Sequence, residues 1–158
     1  MVSPTNRLEI AWTLAVVVLL AGIAVWSTFV LFNISGSTPA GTPNEYVEVV
    51  GEQWSWQFHY DANDTTVTSS YDAQTNTVSG GALWAAPGAW LELNVTSLDV
   101  AHSFYIPQLG VQINAIPGRT NTIVFQVPNA SPGTQYLIEC TEFCGTGHGT
   151  MRSFLVVT

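Results

Sequence analysis

Ile10 to Phe32 is an unbroken run of 23 residues without a charge, and it constrains the fold more than any other segment. As a helix it extends about 34 Å, enough to cross the hydrocarbon core of a bilayer. A cleaved leader has a shorter apolar core, a basic start and a small-residue cleavage site. This run is longer, and Arg7 is the only basic residue before it. It therefore reads as a retained transmembrane helix over residues 10–32. Trp12 and Trp26 lie towards its two ends, where interfacial aromatics anchor a span. Arg7 places residues 1–9 in the cytoplasm by the positive-inside rule. The expectation is a single pass through the plasma membrane, in contact with lipid, with the C-terminal part extracytoplasmic.

Residues 33–44 are rich in Gly, Ser, Thr and Pro and read as a linker. From residue 45 to residue 158 there is no helical periodicity. Short β-rich runs appear instead, at 46–50, 53–60, 82–85, 89–96, 101–106, 120–127, 134–139 and 152–157. Turn signals separate them: Asn63-Asp64, Pro87-Gly88, Pro117-Gly118 and Ser131-Pro132-Gly133. This pattern predicts an antiparallel sandwich or barrel. Trp54, Trp56, Phe58 and Tyr60 recur at period two, which puts all four on one strand face, with His59 on the other. A core face accounts for Trp56, Phe58 and Tyr60; an indole at the surface beside a redox centre is the sharper alternative. The chain has no lysine and a net charge of −8, yet only 9% of its residues are charged. A surface so sparing in ions suits an acidic exterior. No basic stripe or phosphate-binding loop is present, so nucleic acid is not an expected partner.

The chemistry concentrates in Cys140-Thr141-Glu142-Phe143-Cys144-Gly145-Thr146-Gly147-His148-Gly149-Thr150-Met151. The stretch holds both cysteines of the chain, one of three histidines and one of two methionines. Thiolate, imidazole and thioether are soft ligands that suit copper. A Cys-x3-Cys disulfide would close a very small loop and leave His148 and Met151 unexplained. A mononuclear blue-copper site uses two His, one Cys and a weak axial Met, so here one Cys is surplus. Two thiolates can instead bridge two coppers, each with its own histidine. His148 supplies one. His59 and His102 compete for the other role, and His102, on an upstream strand, fits it better.

These residues carry a resemblance. Residues 97–157 resemble subunit II of haem–copper cytochrome c oxidases. The matching stretches are Asp99-Val100-Ala101-His102-Ser103-Phe104, Ile106-Pro107-Gln108-Leu109-Gly110, Ala115-Ile116-Pro117-Gly118-Arg119 and the whole loop from Cys140 to Met151. Gly51-Glu52-Gln53-Trp54-Ser55-Trp56 is similar to the family's aromatic segment, and Leu8-Glu9-Ile10-Ala11-Trp12-Thr13 to the start of its second transmembrane helix. The resemblance implies an all-β, cupredoxin-like Greek-key sandwich or barrel behind one N-terminal transmembrane α-helix.

It also implies a binuclear CuA centre, two coppers per chain, bridged by Cys140 and Cys144. His102 and Met151 would complete one copper, and His148 with the Glu142 carbonyl the other. The Glu142 carboxylate would reach towards a magnesium shared with subunit I. Trp54 matches the tryptophan through which electrons arrive. Glu9 matches the glutamate at the mouth of the proton path, although a carboxylate near a helix start also suits the macrodipole. The implied function is to accept single electrons from cytochrome c or a small blue-copper protein. They would pass to haem in subunit I, within a larger set of oxidase subunits that reduces oxygen and translocates protons.

Two departures stand out. Only one transmembrane helix is present, similar to single-helix forms in some bacteria and archaea, and Gln112 and Asn114 replace the family's usual Lys and Asp. Other readings share parts of the pattern: a membrane-anchored mononuclear cupredoxin carrier, the CuA domain of a nitrous oxide reductase-like enzyme, and a quinol-oxidase subunit without copper.

Overall fold

The structure, a computed structural model, describes residues 4–35, 41–72, 74–75 and 77–158. The chain divides into two compact units after Ala40. In the first, a single helix, α1, runs Pro4–Ser35. It extends past the apolar run at both ends and takes in the first three residues of the stretch read as linker. Residues 36–40 of that stretch lie outside the described residues. Proline near the helix start costs nothing there, because the first-turn N–H groups have no intrahelical acceptor. Asn6–Leu31 is long and apolar enough to cross a membrane. Between Asn6 and Leu31 the apolar side chains lie on every face of the helix, with no single polar stripe.

The second unit is a sandwich of two sheets. Its strands are β1 (Glu45–Glu52), β2 (Ser55–Tyr60), β3 (Thr65–Asp72), β4 (Thr77–Gly80), β5 (Leu83–Ala85), β6 (Trp90–Ser97), β7 (His102–Ile106), β8 (Val111–Ala115), β9 (Asn121–Gln126), β10 (Gln135–Cys140) and β11 (Arg152–Val157). One sheet has the order β4-β3-β2-β1-β6-β9, the other β5-β11-β10-β7-β8. Neighbours pair antiparallel except β1 with β6 and β5 with β11. The alternation expected of a half-buried strand is clearest in β6, where Leu91, Leu93, Val95 and Ser97 point inward. Leu91, Leu93 and Val95 meet Val47, Val49, Trp56 and Phe58 of the same sheet and Phe104, Ile106, Ile138 and Leu155 of the other in one continuous core.

The expected turns hold. Asp64 has a φ of 51°, and Gly88, Gly118 and Gly133 have φ of 74°, 72° and 86°, the left-handed region that Asn, Asp and Gly tolerate. The aromatic run departs from expectation at one residue. Trp56 and Phe58 are fully buried and Tyr60 partly so, but Trp54 is not on their face. It lies in the two-residue connection between β1 and β2, 37% exposed. Strand alternation does not continue through a turn.

Candidate metal centre

Strand pairing assembles the site. β10 ends at Cys140, β11 begins after Met151, and the Cys140 N–H donates to the Met151 carbonyl at 3.1 Å, closing the loop at its base. β7 lies on the other side of β10, with Phe104 opposite Cys140. The Thr141 N–H continues that pairing to the Ser103 carbonyl at 3.0 Å. His102, Phe104 and Ile106 alternate inward from β7, which puts the His102 imidazole in the interior beside Cys140. Within the loop, Gly145 turns the chain at φ 117°. Its carbonyl accepts from His148 N, and a short 3-10 turn at His148–Thr150 returns the chain to Met151.

The donor atoms converge. Cys140 Sγ and Cys144 Sγ are 3.8 Å apart, far beyond the disulfide length of about 2.05 Å. His102 Nδ1 is 3.9 Å from Cys140 Sγ, and His148 Nδ1 is 3.4 Å from Cys144 Sγ. Met151 Sδ is 3.9 Å from Cys144 Sγ, and the Glu142 carbonyl is 3.2 Å from Cys140 Sγ. All these gaps are shorter than the about 4.4 Å that one metal–sulfur and one metal–nitrogen bond can span. His102, Cys140 and Cys144 alone form a buried triad with donor atoms within 4.8 Å of one another. Two thiols, a thioether and two imidazole nitrogens are a donor set that fits copper, with the harder Glu142 carbonyl beside them.

The profile of the cytochrome c oxidase subunit II periplasmic domain matches residues 46–157. The chain belongs to the cytochrome c oxidase subunit II family. It is similar to cytochrome c oxidase subunit 2 of Periplaneta americana, with 31% identity over 92% of this chain and 65% of that one. The protein of the same name from Cyanidium caldarium shows 32% identity over 91% of this chain and 60% of that one. The chain thus spans slightly less than two thirds of these relatives. Its fold is similar to the crystal structure of the periplasmic domain of subunit II of cytochrome oxidase from Bradyrhizobium japonicum. That match has a TM-score of 0.68 and 26% identity, over 75% of this chain and 86% of that one.

Asp99 and Gln53, to which the sequence assigned no role, flank this subunit II site together with Trp54. His102 donates its Nε2–H to Asp99 Oδ1 at 2.9 Å, which leaves the Nδ1 lone pair facing Cys140. Burial opposes the Asp99 charge. Hydrogen bonds from the His102 side chain and from the Val100 and Gln53 N–H groups outweigh it and hold the carboxyl below its usual range. A carboxylate three residues before a candidate ligand histidine is the available signal, since ligand imidazoles usually donate their second N–H to such a group. Gln53 Nε2 and Trp54 Nε1 both donate to the Cys144 carbonyl, at 2.7 and 3.2 Å. The Trp54 ring lies on Gly145 and Gly147, and a Cβ at 147 would collide with the indole where it now lies.

The remaining expected residues separate. The Glu142 side chain is exposed. Phe143, 78% exposed, lies against the His148 ring at 5.8 Å. Gln112 donates to the hydroxyls of Ser103 and Thr141 at the edge of the loop. His59 is elsewhere, with Nδ1 on Thr66 Oγ1 at 2.9 Å and Nε2 at 3.8 Å from both Asp61 and Asp64. Glu9 is the sixth residue of α1, beyond the first turn, to which a macrodipole effect is confined.

Burial, with Cys140 alongside, pushes the Cys144 thiol up to about 12. The fold therefore favours the neutral thiol. That contribution to stability is fully present below the ordinary thiol pKa of about 8.5 and is lost as pH rises from there towards 12. A metal cation replaces the proton, so metal uptake is expected to release protons and to weaken as pH is lowered. A copper titration with a pH indicator checks both. Uptake without proton release contradicts thiolate ligation.

Proposed function

We propose that this chain is the electron-accepting subunit of a terminal haem–copper oxidase. A pair of coppers held by His102, Cys140, Glu142 (through its carbonyl), Cys144, His148 and Met151 would supply one-electron redox chemistry with little change of geometry. The observation that carries this reading is the 3.8 Å pair of cysteine sulfurs, each with its own imidazole nitrogen within 3.9 Å. A mononuclear cupredoxin has no use for the second thiolate.

The residues then divide the work. Cys140 and Cys144 would hold the pair between them, with His102 and His148 as the imidazole donors on its two sides. The sandwich and the closed loop base hold the donors in one geometry for both oxidation states. Trp54 has one edge in solvent and its N–H on the carbonyl of a bridging cysteine, so it joins the surface to the site. The partners in this reading are subunit I and other oxidase subunits, with cytochrome c or a small blue-copper protein as donor. The domain lies outside the plasma membrane and the N-terminus of α1 in the cytoplasm. Glu9 lies at the mouth of the proton path into subunit I, and the exposed Glu142 carboxylate reaches a magnesium at the interface with it.

Stopped-flow reduction of the assembled, copper-loaded oxidase under anaerobic conditions tests the reading. The external donor is expected to reduce the wild-type copper before haem. Trp54→Ala should slow that step about tenfold or more, equivalent to about 1.4 kcal/mol of barrier, while copper content stays unchanged. Haem reduction that precedes copper sinks the relay; an unaltered rate in Trp54→Ala removes Trp54 from the path.

A further inference from the structure

Gly51 is buried in β1, one residue from its end. Glycine weakens a strand, and inside one it often marks the close approach of another group. Gly51 is not among the glycines with positive φ, so the backbone does not demand it. The demand is for space. A Cβ there would lie 3.1 Å from His102 Cδ2, 3.1 Å from Trp56 Cζ3 and 3.3 Å from His102 Cγ. The missing methyl lets an indole edge and the imidazole meet over the strand, with ring centroids 6.0 Å apart at 63°.

Trp56 is itself fixed. It is fully buried and makes an 84° edge contact with Phe104 at 5.3 Å. The Ser69 hydroxyl bonds both its backbone N–H and its carbonyl. Its indole N–H has no hydrogen-bond partner among the described residues. A buried N–H without a partner is costly, so what Trp56 contributes here is the breadth of its ring. At Nε2, Asp99 holds the imidazole at 2.9 Å. One hydrogen bond fixes one atom of a ring and leaves the ring free to tilt; the Trp56 ring, packed at 63° with centroids 6.0 Å apart, opposes that tilt.

We propose that Gly51 and Trp56 are positioning residues that set the plane of the His102 ring, so that Nδ1 faces Cys140. The inference rests on the copper reading of the site. It assigns to two residues that touch no metal the geometry of one terminal ligand.

The test uses the detergent-solubilised full chain. In the copper-free protein, the His102 ring resonances are read by NMR. Gly51→Ala is expected to shift them, because either the imidazole or the indole must yield by a few tenths of an ångström. Copper(I) affinity, measured by chelator competition, is expected to fall about 10–100-fold, the usual cost of disturbing a ligand's support. Adding Trp56→Phe to Gly51→Ala should recover much of that loss, because the smaller ring returns the space. Trp56→Phe alone should lower copper(I) affinity, because the imidazole loses the edge that holds its plane, which keeps the proposal open to refutation if Gly51→Ala does not fold. Unmoved resonances in Gly51→Ala, an unchanged affinity in Trp56→Phe, or an affinity loss in Gly51→Ala that adding Trp56→Phe does not relieve, overturn it. A wild-type chain that takes up no copper pair would sink the relay reading alone, while the copper-free resonances still decide the ring contact.

Discussion

Replacing Cys144 by serine is expected to abolish the copper pair while leaving the sandwich folded. Cys144 Sγ neighbours three other donors: Cys140 Sγ at 3.8 Å, His148 Nδ1 at 3.4 Å and Met151 Sδ at 3.9 Å. Serine keeps the shape but offers a hard oxygen that does not give up its proton as a thiol does, and soft metals are held by soft ligands. The loss of affinity should exceed the roughly 10–100-fold that follows removal of an outer-shell partner. The structural cost is separate and smaller. A buried hydroxyl without a full set of partners costs about 1–3 kcal/mol, which a domain stable by about 5–15 kcal/mol survives. Copper per chain and the thermal midpoint of the copper-free protein, measured on one preparation, separate the two effects. A variant that keeps both coppers and an unchanged spectrum shows that Cys144 is not a ligand.

Phe104→Ala is expected to have the largest effect on stability, about 3–5 kcal/mol, the usual range for emptying a buried aromatic site. Phe104 is fully buried, pairs with Cys140 across β7 and β10, and takes the edge of Trp56 at 5.3 Å. Both sheets therefore lean on it, and so does the strand that carries His102. Truncation opens a cavity below a ligand as well as in the core. Denaturant unfolding of the copper-free chain should show a lower midpoint with an unchanged slope, because the same surface is exposed on unfolding. Copper retention should fall in parallel. A midpoint shift worth less than about 1 kcal/mol would mean that the core collapses around the gap.

The candidate loop was legible because its donor side chains are contiguous. His102 was expected from a count of what two bridged coppers would still lack, and its Nδ1 lies 3.9 Å from Cys140 Sγ. The supporting residues were less legible because their roles are set in space. Gln53 is 91 residues from the Cys144 carbonyl it holds, and Gly51 meets His102, 51 residues on, only through the packing of the two sheets.

The strands missed by the sequence reading have a physical explanation. β3 and β4 fall largely in a polar stretch, and of Thr65–Asp72 only Ser69 is buried, so no apolar alternation announces a strand. Ser69 is inward because its hydroxyl bonds the Trp56 backbone. β8 buries only its two ends, Val111 and Ala115. The limits of α1 shifted for a different reason. Apolarity marks where lipid can lie, whereas the helix continues as long as its backbone hydrogen bonds do, through Asn33-Ile34-Ser35.

Copper stoichiometry with an electron paramagnetic resonance spectrum of the oxidised chain is the most direct test of a binuclear site. Two coppers per chain and a delocalised seven-line pattern are the predicted result. One copper per chain with a four-line pattern would contradict it.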